Sequence, residues 1–328
     1  MISVGVDLGG SNLRAALVEI DEATVRILDQ SSEEISKDTC PKTVANVLVK
    51  VVQRLKEAPN SAPIGIGIAG MLQGTSGLVE NSPNLGWKNV QFAEIAAACL
   101  GCPVWLENDL AAITWGEYRF GAARGQRNTI CMFLGTGIGG GAVVEGVPFR
   151  GAGNASMEIG HVKVVPGGRL CGCGARGCLE AYAGGRHLVE LASKDSSAKL
   201  LEIAGGVGKL HPGHLDRAAR EGDARSTELI EQAGTFLGRT LADAITLFNP
   251  DCLLLGGTVW IGCPRLRKVT LAAIDEYANA PALRRLQIVE SELGNDAGVF
   301  GAADLATNCH SEHIRFAQCG LREESLCK

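Results

Sequence analysis

The sequence predicts a two-domain α/β protein, and three observations lead to that reading. A chain of 328 residues suits two domains of ordinary size. Two segments share one pattern of hydrophobic strand, glycine turn and returning strand. One is residues 2–8 turning at Gly9-Gly10-Ser11, and the other is Thr129 to Leu134 turning through Gly135 to Gly141. Amphipathic helical stretches and short apolar strands follow each of them, which is the alternation of α/β units.

The elements follow in chain order. Residues 2–8 (ISVGVDL) read as a strand and Asn12 to Ile20 as its return; Val25 to Asp29 and a stretch near Glu34 add two more. Thr43 to Glu57 carries Val44, Val47, Leu48, Val51 and Leu55 at helical spacing, with Pro41 near its start. Ile64-Gly-Ile-Gly-Ile alternates strictly, a strand with glycine along one side. A helix near Ala93 to Leu100 leads to the strand Pro103-Val-Trp-Leu, which ends at Glu107-Asn108-Asp109, where another helix begins. In the second half, Thr129 to Leu134 is a strand, Gly135 to Gly141 a turn and Ala142 to Val147 the return. Residues 226–248 give the longest amphipathic helix, and Asp251 to Leu255 is a buried strand closed by Gly256-Gly257. Leu293 to Ala306 opens as a Gly-Asn-Asp turn and closes as an alanine-rich helix, and 308–328 is a tail without period.

Composition narrows the function. Thirty-one Lys and Arg against 36 Asp and Glu give a net charge of −5, which argues against coating nucleic acid. No apolar run has the length of a membrane span, and MISVGVDLGG has neither a basic leader nor a cleavable apolar core, so a cytoplasmic protein is expected. Nine of the 12 cysteines are scattered and read as reduced thiols. Cys99 and Cys102 form C-x-x-C, but at a helix end, where nothing depresses a thiol pKa. Glycine is in excess, 43 residues where ~7% is usual, without a collagen period.

Three glycine turns follow hydrophobic strands: Asp7-Leu-Gly-Gly-Ser-Asn12, Leu134-Gly-Thr-Gly-Ile-Gly-Gly-Gly141 and Leu255-Gly-Gly-Thr258. Bare backbone lets N–H groups cradle a phosphate, although any single Gly-Gly is more often a plain bend. Gly135, Gly137 and Gly140 spell G-x-G-x-x-G, yet another strand follows instead of a helix, so dinucleotide binding does not fit. Two such hairpins with Asp7 before the first suit a phosphotransferase of the actin and sugar-kinase type, with a polyphosphate held between them. Asp7 would act on Mg²⁺ through water, and Thr136 would offer its hydroxyl to a phosphate oxygen.

His161, Cys171, Cys173 and Cys178 read H-x9-C-x-C-x4-C, a Cys3His set for structural Zn²⁺, with Gly172, Gly174 and Gly177 allowing sharp bends. His161 would keep a second ring nitrogen that the nearby Glu158 or a ligand oxygen could use.

The motifs DLGGSNLRAALV, GIAG, SPNLGW, WLEND, LGTGIGGG, MEIGH, CGCGARGCLE and FNPDCLLLGG, spread from residue 2 to about 306, resemble the ROK family of sugar kinases and repressors. The resemblance implies a two-domain actin-like ATPase (ribonuclease H-like) fold with a cleft between domains, usually homodimeric, taking ATP, Mg²⁺ and a hexose. The expected limits are 1–108 with about 293–307 for the smaller domain, 109–292 for the larger with its zinc loop, and 308–328 for the tail. Asp109 matches the family's catalytic base, and Asn108 lies beside it; from the residues alone, Asp109 reads equally as a helix N-cap. Glu158, His161 and Glu180 match sugar-contacting positions, with Gly70 and Asn84 in loops lining the sugar pocket. Gly9, Gly10, Ser11, Asn12, Gly135, Thr136 and Gly137 match phosphate positions, and Gly256 and Gly257 the nucleotide side. Two departures stand out: Gly184 where many relatives have Ser, and Met157 where Gly is frequent.

The function so implied is ATP-dependent phosphorylation of the 6-hydroxyl of a hexose, glucose in the first place, in carbohydrate metabolism. The alternatives are a kinase for N-acetylmannosamine, N-acetylglucosamine, fructose or allose, or a non-catalytic sugar-responsive repressor. A repressor of the family needs a helix-turn-helix before the first strand, and this sequence is acidic and opens on that strand.

Overall fold

The computed structural model describes residues 1–307 apart from 23, 37, 57 and 60; the tail expected at 308–328 lies outside the described residues. Packing divides the chain into two units. The first holds Met1–Gly125, Pro148–Ser156 and residues 292–307; the second holds Gln126–Val147 and Met157–Ser291.

The first unit is built on a sheet of β1 (Ile2–Leu8), β2 (Asn12–Ile20), β3 (Val25–Glu34), β4 (Ile64–Ile68) and β8 (Val104–Asn108), in the order β3-β2-β1-β4-β8. β1 and β2 are antiparallel, with Asp7 opposite Arg14, while β4 and β8 run parallel to β1. A smaller sheet of β5 (Met71–Leu72), β6 (Val79–Ser82) and β7 (Trp87–Val90) lies between β4 and β8 in sequence. The two short strands expected at 25–29 and near 34 are one strand, because a register shift at Leu17/Val18 lets β3 pair with the whole of β2.

The Ile-Gly alternation of β4 is a packing device. Ile64, Ile66 and Ile68 join one core with Val44 and Leu48 of α1 (Pro41–Gln53) and Phe92 of α2 (Phe92–Leu100). Gly65 pairs with Gly5 of β1, and a Cβ added there would stand 1.9 Å from the carbonyl oxygens of Ala302 and Val299 respectively. The helix at 297–307 therefore lies backbone-close on a bare stripe of the sheet, which no side chain at these positions permits. α3 (Asp109–Phe120) packs against the same helix, with Gly116 facing the Ala297 carbonyl and Gly301 the Ala112 carbonyl. That packing keeps α3 with the first unit, past the 108/109 limit read from the sequence.

The second unit carries β9 (Thr129–Leu134), β10 (Ile138–Val144), β11 (Val147–Pro148), β12 (Cys252–Gly256) and β13 (Gln287–Glu290), in the order β11-β10-β9-β12-β13. As in the first unit, a strand that opens a hairpin lies between its antiparallel return and a parallel strand. The turn is shorter than expected: β10 begins at Ile138, so Gly139, Gly140 and Gly141 are strand residues facing Phe133, Met132 and Cys131. A Cβ at Gly140 would stand 2.5 Å from the Cys131 carbonyl oxygen, so close backbone approach and not turning requires that glycine. α8 (Ala224–Phe248) anchors the core through Leu229, Ile230, Leu237, Leu241 and Ile245, and Asp223 caps it by accepting from the Ser226 N–H at 2.8 Å.

Candidate active site and metal centre

In the first unit, the β1–β2 turn opens on a cavity of about 860 Å³ that Asp7, Gly9, Gly10, Ser11 and Asn12 line together. The Gly9 N–H is spent on the Asn12 carbonyl at 3.0 Å, closing the hairpin. A Cβ on Gly10 would lie 2.7 Å from the Asn84 Cβ, so that glycine brings the turn against one of the loops expected to line a sugar pocket. The cavity adds residues that motif reading passed over: Arg14, Asn295 and Asp296. Arg14 reaches Asp296 Oδ1 at 2.5 Å and the Asn295 carbonyl at 3.0 Å. Its strand position, opposite Asp7 and two residues after Asn12, was the available signal. Burial pushes the Asp7 carboxyl above its ordinary range, and the Arg14 charge only partly offsets this.

At the β8–α3 junction the capping residue of α3 is the one before Asp109. Asn108 is the N-cap, its Oδ1 accepting from the Ala111 N–H at 3.0 Å. Asp109 is the first helical residue, with Oδ1 accepting from the Leu110 N–H at 2.9 Å. Asn108 Nδ2 also donates to the Gly70 carbonyl at 3.1 Å, so Gly70, Asn108 and Asp109 form one cluster. Gly67 of β4 lies close under the start of α3, where an added Cβ would stand 3.3 Å from the Ala112 Cβ. Beneath the junction, Glu107 is 1% exposed and paired with Arg150.

In the second unit, the β9–β10 turn is Gly135-Thr136-Gly137. The Gly135 and Thr136 carbonyls accept from the Gly185 and Arg186 N–H groups, each at 3.0 Å, which seats the turn on the start of α5 (Gly185–Lys194). Gly257 has φ +97°, and a Cβ there would stand 2.3 Å from the Leu134 carbonyl oxygen, so only glycine fits after β12. Gly256 is packed on the Phe133 ring. A cavity of about 400 Å³ joins Gly135 and Thr136 to Arg186, His211, Thr258 and Val259. Of these, Arg186 and Val259 lie in helices and His211 immediately before one, and none belongs to a motif read from the sequence.

The predicted metal ligands converge. The donor atoms of His161, Cys171, Cys173 and Cys178 all lie within 4.8 Å of one another. His161 Nδ1 is 3.8 Å from Cys171 Sγ, and Cys173 Sγ is 3.7 Å from Cys178 Sγ. Those separations are close to the edge of a tetrahedron with metal–sulfur bonds of about 2.3 Å. Gly174 and Gly177 hold φ of +85° and +82° as the bends demand, whereas Gly172, expected to do the same, has an ordinary backbone and open space around it. Burial pushes the Cys171 thiol up to about 12, so an ion must displace its proton. Lys163 sets its ammonium 2.9 Å from Cys178 Sγ.

With Nδ1 turned to the sulfurs, His161 Nε2 faces Glu158 Oε2 at 3.8 Å. Loss of solvent on its inner side raises the Glu158 carboxyl; His161 counters this and Glu180 adds to it. Glu180 Oε2 accepts from the Ile138 N–H at 2.9 Å, and a Cβ on Gly137 would stand 2.4 Å from that oxygen. Gly137, matched to a phosphate position, thus also makes room for Glu180. The two departures have structural consequences. Met157 holds φ +59°, a conformation that glycine adopts without strain, and Gly184 begins α5 with no side-chain cap where Ser would supply a hydroxyl.

The ROK family model matches residues 3–309. A glucokinase of Streptomyces coelicolor is 33% identical over 313 residues, covering 93% of this chain and 97% of that protein. An N-acetylmannosamine kinase of Escherichia fergusonii is 29% identical over 308 residues, covering 93% and 98%. Among solved structures, a ROK family glucokinase from Streptomyces griseus in complex with glucose and AMPPNP superposes with a TM-score of 0.77 at 33% identity, covering 94% of this chain and all of that one. Matched by the family model over nearly its whole length, and similar to ROK glucokinases in both sequence and fold, the chain belongs to the ROK family.

Proposed function

We propose that the protein is an ATP-dependent hexose kinase that phosphorylates the 6-hydroxyl of glucose. The observation that carries this is the β8–α3 junction: capping falls to Asn108, and Asp109 stands at the helix start beside Asn108 and Gly70. A rigid helix start is a suitable mount for a base that accepts the hydroxyl proton as the phosphoryl group moves. Gly70, Asn84, Asn108 and Asp109 are assigned as sugar contacts, as are Glu158, His161 and Glu180, whose acceptors suit a polyol.

The phosphates are assigned to Gly9, Gly10, Ser11 and Asn12 and to Gly135, Thr136 and Gly137, with Gly256 and Gly257 toward the nucleoside. Asp7 fits a water-mediated Mg²⁺, being a carboxylate at the mouth of the first hairpin's cavity. When bound, Mg²⁺ neutralises phosphate charge during transfer. His161, Cys171, Cys173 and Cys178 are assigned to structural Zn²⁺, supported by their donor spacing and by the ammonium of Lys163. His161, held to the cluster through Nδ1, would then present Nε2 toward Glu158 and the sugar. The same reading makes the protein a cytoplasmic homodimer without a nucleic-acid ligand. Among the described residues no helix is long and apolar enough to cross a membrane.

The test is an ADP-release assay across glucose, mannose, fructose, allose, N-acetylglucosamine and N-acetylmannosamine. Turnover highest on glucose is the expected result. Preference for N-acetylmannosamine would favour the second reading, which the 29%-identical kinase supports. Turnover on none of them would overturn the hexokinase assignment.

A further inference from the structure

Cys171 belongs to two donor sets. The first is the Cys3His cluster; the second joins it to Glu180 and His187, with one ligand atom from each of the three again within 4.8 Å of the others. Glu180 Oε1 stands 3.7 Å from Cys171 Sγ while Oε2 is held by the Ile138 N–H, so one oxygen is fixed and the other faces the sulfur. His187 is 17% exposed and has Nδ1 3.2 Å from Glu190 Oε2. An outer carboxylate of this kind orients a ligating imidazole and leaves its other nitrogen for an ion.

The charge balance points the same way. With three thiolates and a neutral imidazole around it, a divalent ion in the first set leaves a net negative cluster. Cys171 Sγ is buried, and Glu180 Oε1 faces it at 3.7 Å. A cation held by this sulfur and this oxygen together would offset the cluster's negative charge. Lys163 does not serve, since its ammonium is bonded to Cys178 and the His161 carbonyl. A metal-bound thiolate keeps lone pairs and can bridge to a second ion, and a sulfur, oxygen and nitrogen set suits borderline-soft cations.

We infer that Cys171, Glu180 and His187 form a second, weaker subsite for a thiophilic divalent cation such as Zn²⁺, with Cys171 bridging to the structural ion. One consequence rests on the proposed function: Glu180 is there a sugar contact, so hexose and the second ion compete for it.

The test uses the full-length zinc-loaded protein without nucleotide, equilibrated against rising free Zn²⁺, with bound zinc counted by mass spectrometry. Two equivalents are expected, one surviving dialysis and one filling only at higher free zinc. His187→Ala and the similar-sized His187→Gln should each weaken the second equivalent about tenfold or more, leaving the first equivalent and the melting temperature unchanged. Saturation at one equivalent, or a second equivalent that neither variant weakens, overturns the subsite. Glucose should raise the zinc concentration needed to fill the second equivalent. A second, His187-dependent equivalent that glucose leaves untouched upholds the subsite and overturns the placing of Glu180 at the sugar.

Discussion

Arg150 clasps Glu107 through two nitrogens, Nε at 2.9 Å and Nη2 at 2.8 Å from the same carboxylate oxygen, directly beneath the Asn108–Asp109 junction. The other oxygen accepts from the Asn108 N–H at 3.1 Å and lies 3.4 Å from Asn154 Nδ2. Glu107 therefore ties the segment Pro148–Ser156 to the strand end that presents Asp109. Removing its charge leaves Arg150, three-quarters buried, without its counter-ion. Glu107→Gln should cost about 2–3 kcal/mol by calorimetry, toward the low end for broken buried pairs because Arg150 keeps some solvent. Turnover should fall with it, and Arg150→Lys should fall between the variant and wild type, keeping the charge and losing the two-nitrogen grip.

Asp109 and Asn108 should separate chemistry from stability. Asn108→Ala removes the cap of α3 and should lower stability by about 1 kcal/mol. Asp109→Asn leaves the cap in place, so its melting curve should stay near wild type while kcat drops about 10²–10⁴-fold. Retained turnover in Asp109→Asn, or a loss of stability larger than that of Asn108→Ala, would return Asp109 to a structural role.

Much of this was readable from sequence because local chemistry decided it. The cysteine loop, the two hairpins and the β8–α3 junction are short-range patterns whose residues bring their own geometry. What was misread depends on partners far along the chain. The glycines of β10 look like turn residues until Cys131 is placed against them, and β3 looks broken until its pairing with β2 is known. Arg14 and Asp296 are distant in sequence and share a cavity only through the fold. Gly172 was credited with a bend because its neighbours Gly174 and Gly177 need one.

Asp7 offers a pH test. Its carboxyl is raised above the ordinary 3.8, chiefly by burial, so the folded state prefers it protonated. The stability it contributes is complete below the unfolded value and disappears as pH rises through the raised folded value, leaving a buried charge as a cost at neutral pH. Asp7→Asn should therefore melt higher than wild type at pH 7, and the difference should close as pH falls below about 4. Arg14 keeps Asp296 as a partner in the variant. Phosphoryl transfer should be lost at the same time, because the proposed Mg²⁺ contact is gone. A variant no more stable than wild type at pH 7 would show that the buried charge is already compensated.

Lys163 should set how firmly the metal is held. Its ammonium is bonded to the cluster, 2.9 Å from Cys178 Sγ, and that hydrogen bond, with the charge of the sulfurs adding to it, raises the lysine's own pKa. Three thiols must lose protons to bind zinc, and burial pushes that of Cys171 up to about 12. Lys163→Gln keeps a hydrogen-bond donor near Cys178 but removes the charge, so zinc retention against a competing chelator should fall about tenfold, within the usual range for groups that support ligands. Stripping the ion with a strong chelator should lower the melting temperature of wild type and weaken glucose binding through His161. The variant should show both losses at lower chelator concentration, while refilling with zinc restores each. Unchanged retention in Lys163→Gln would mean that the ammonium's position beside the sulfur has no bearing on the metal.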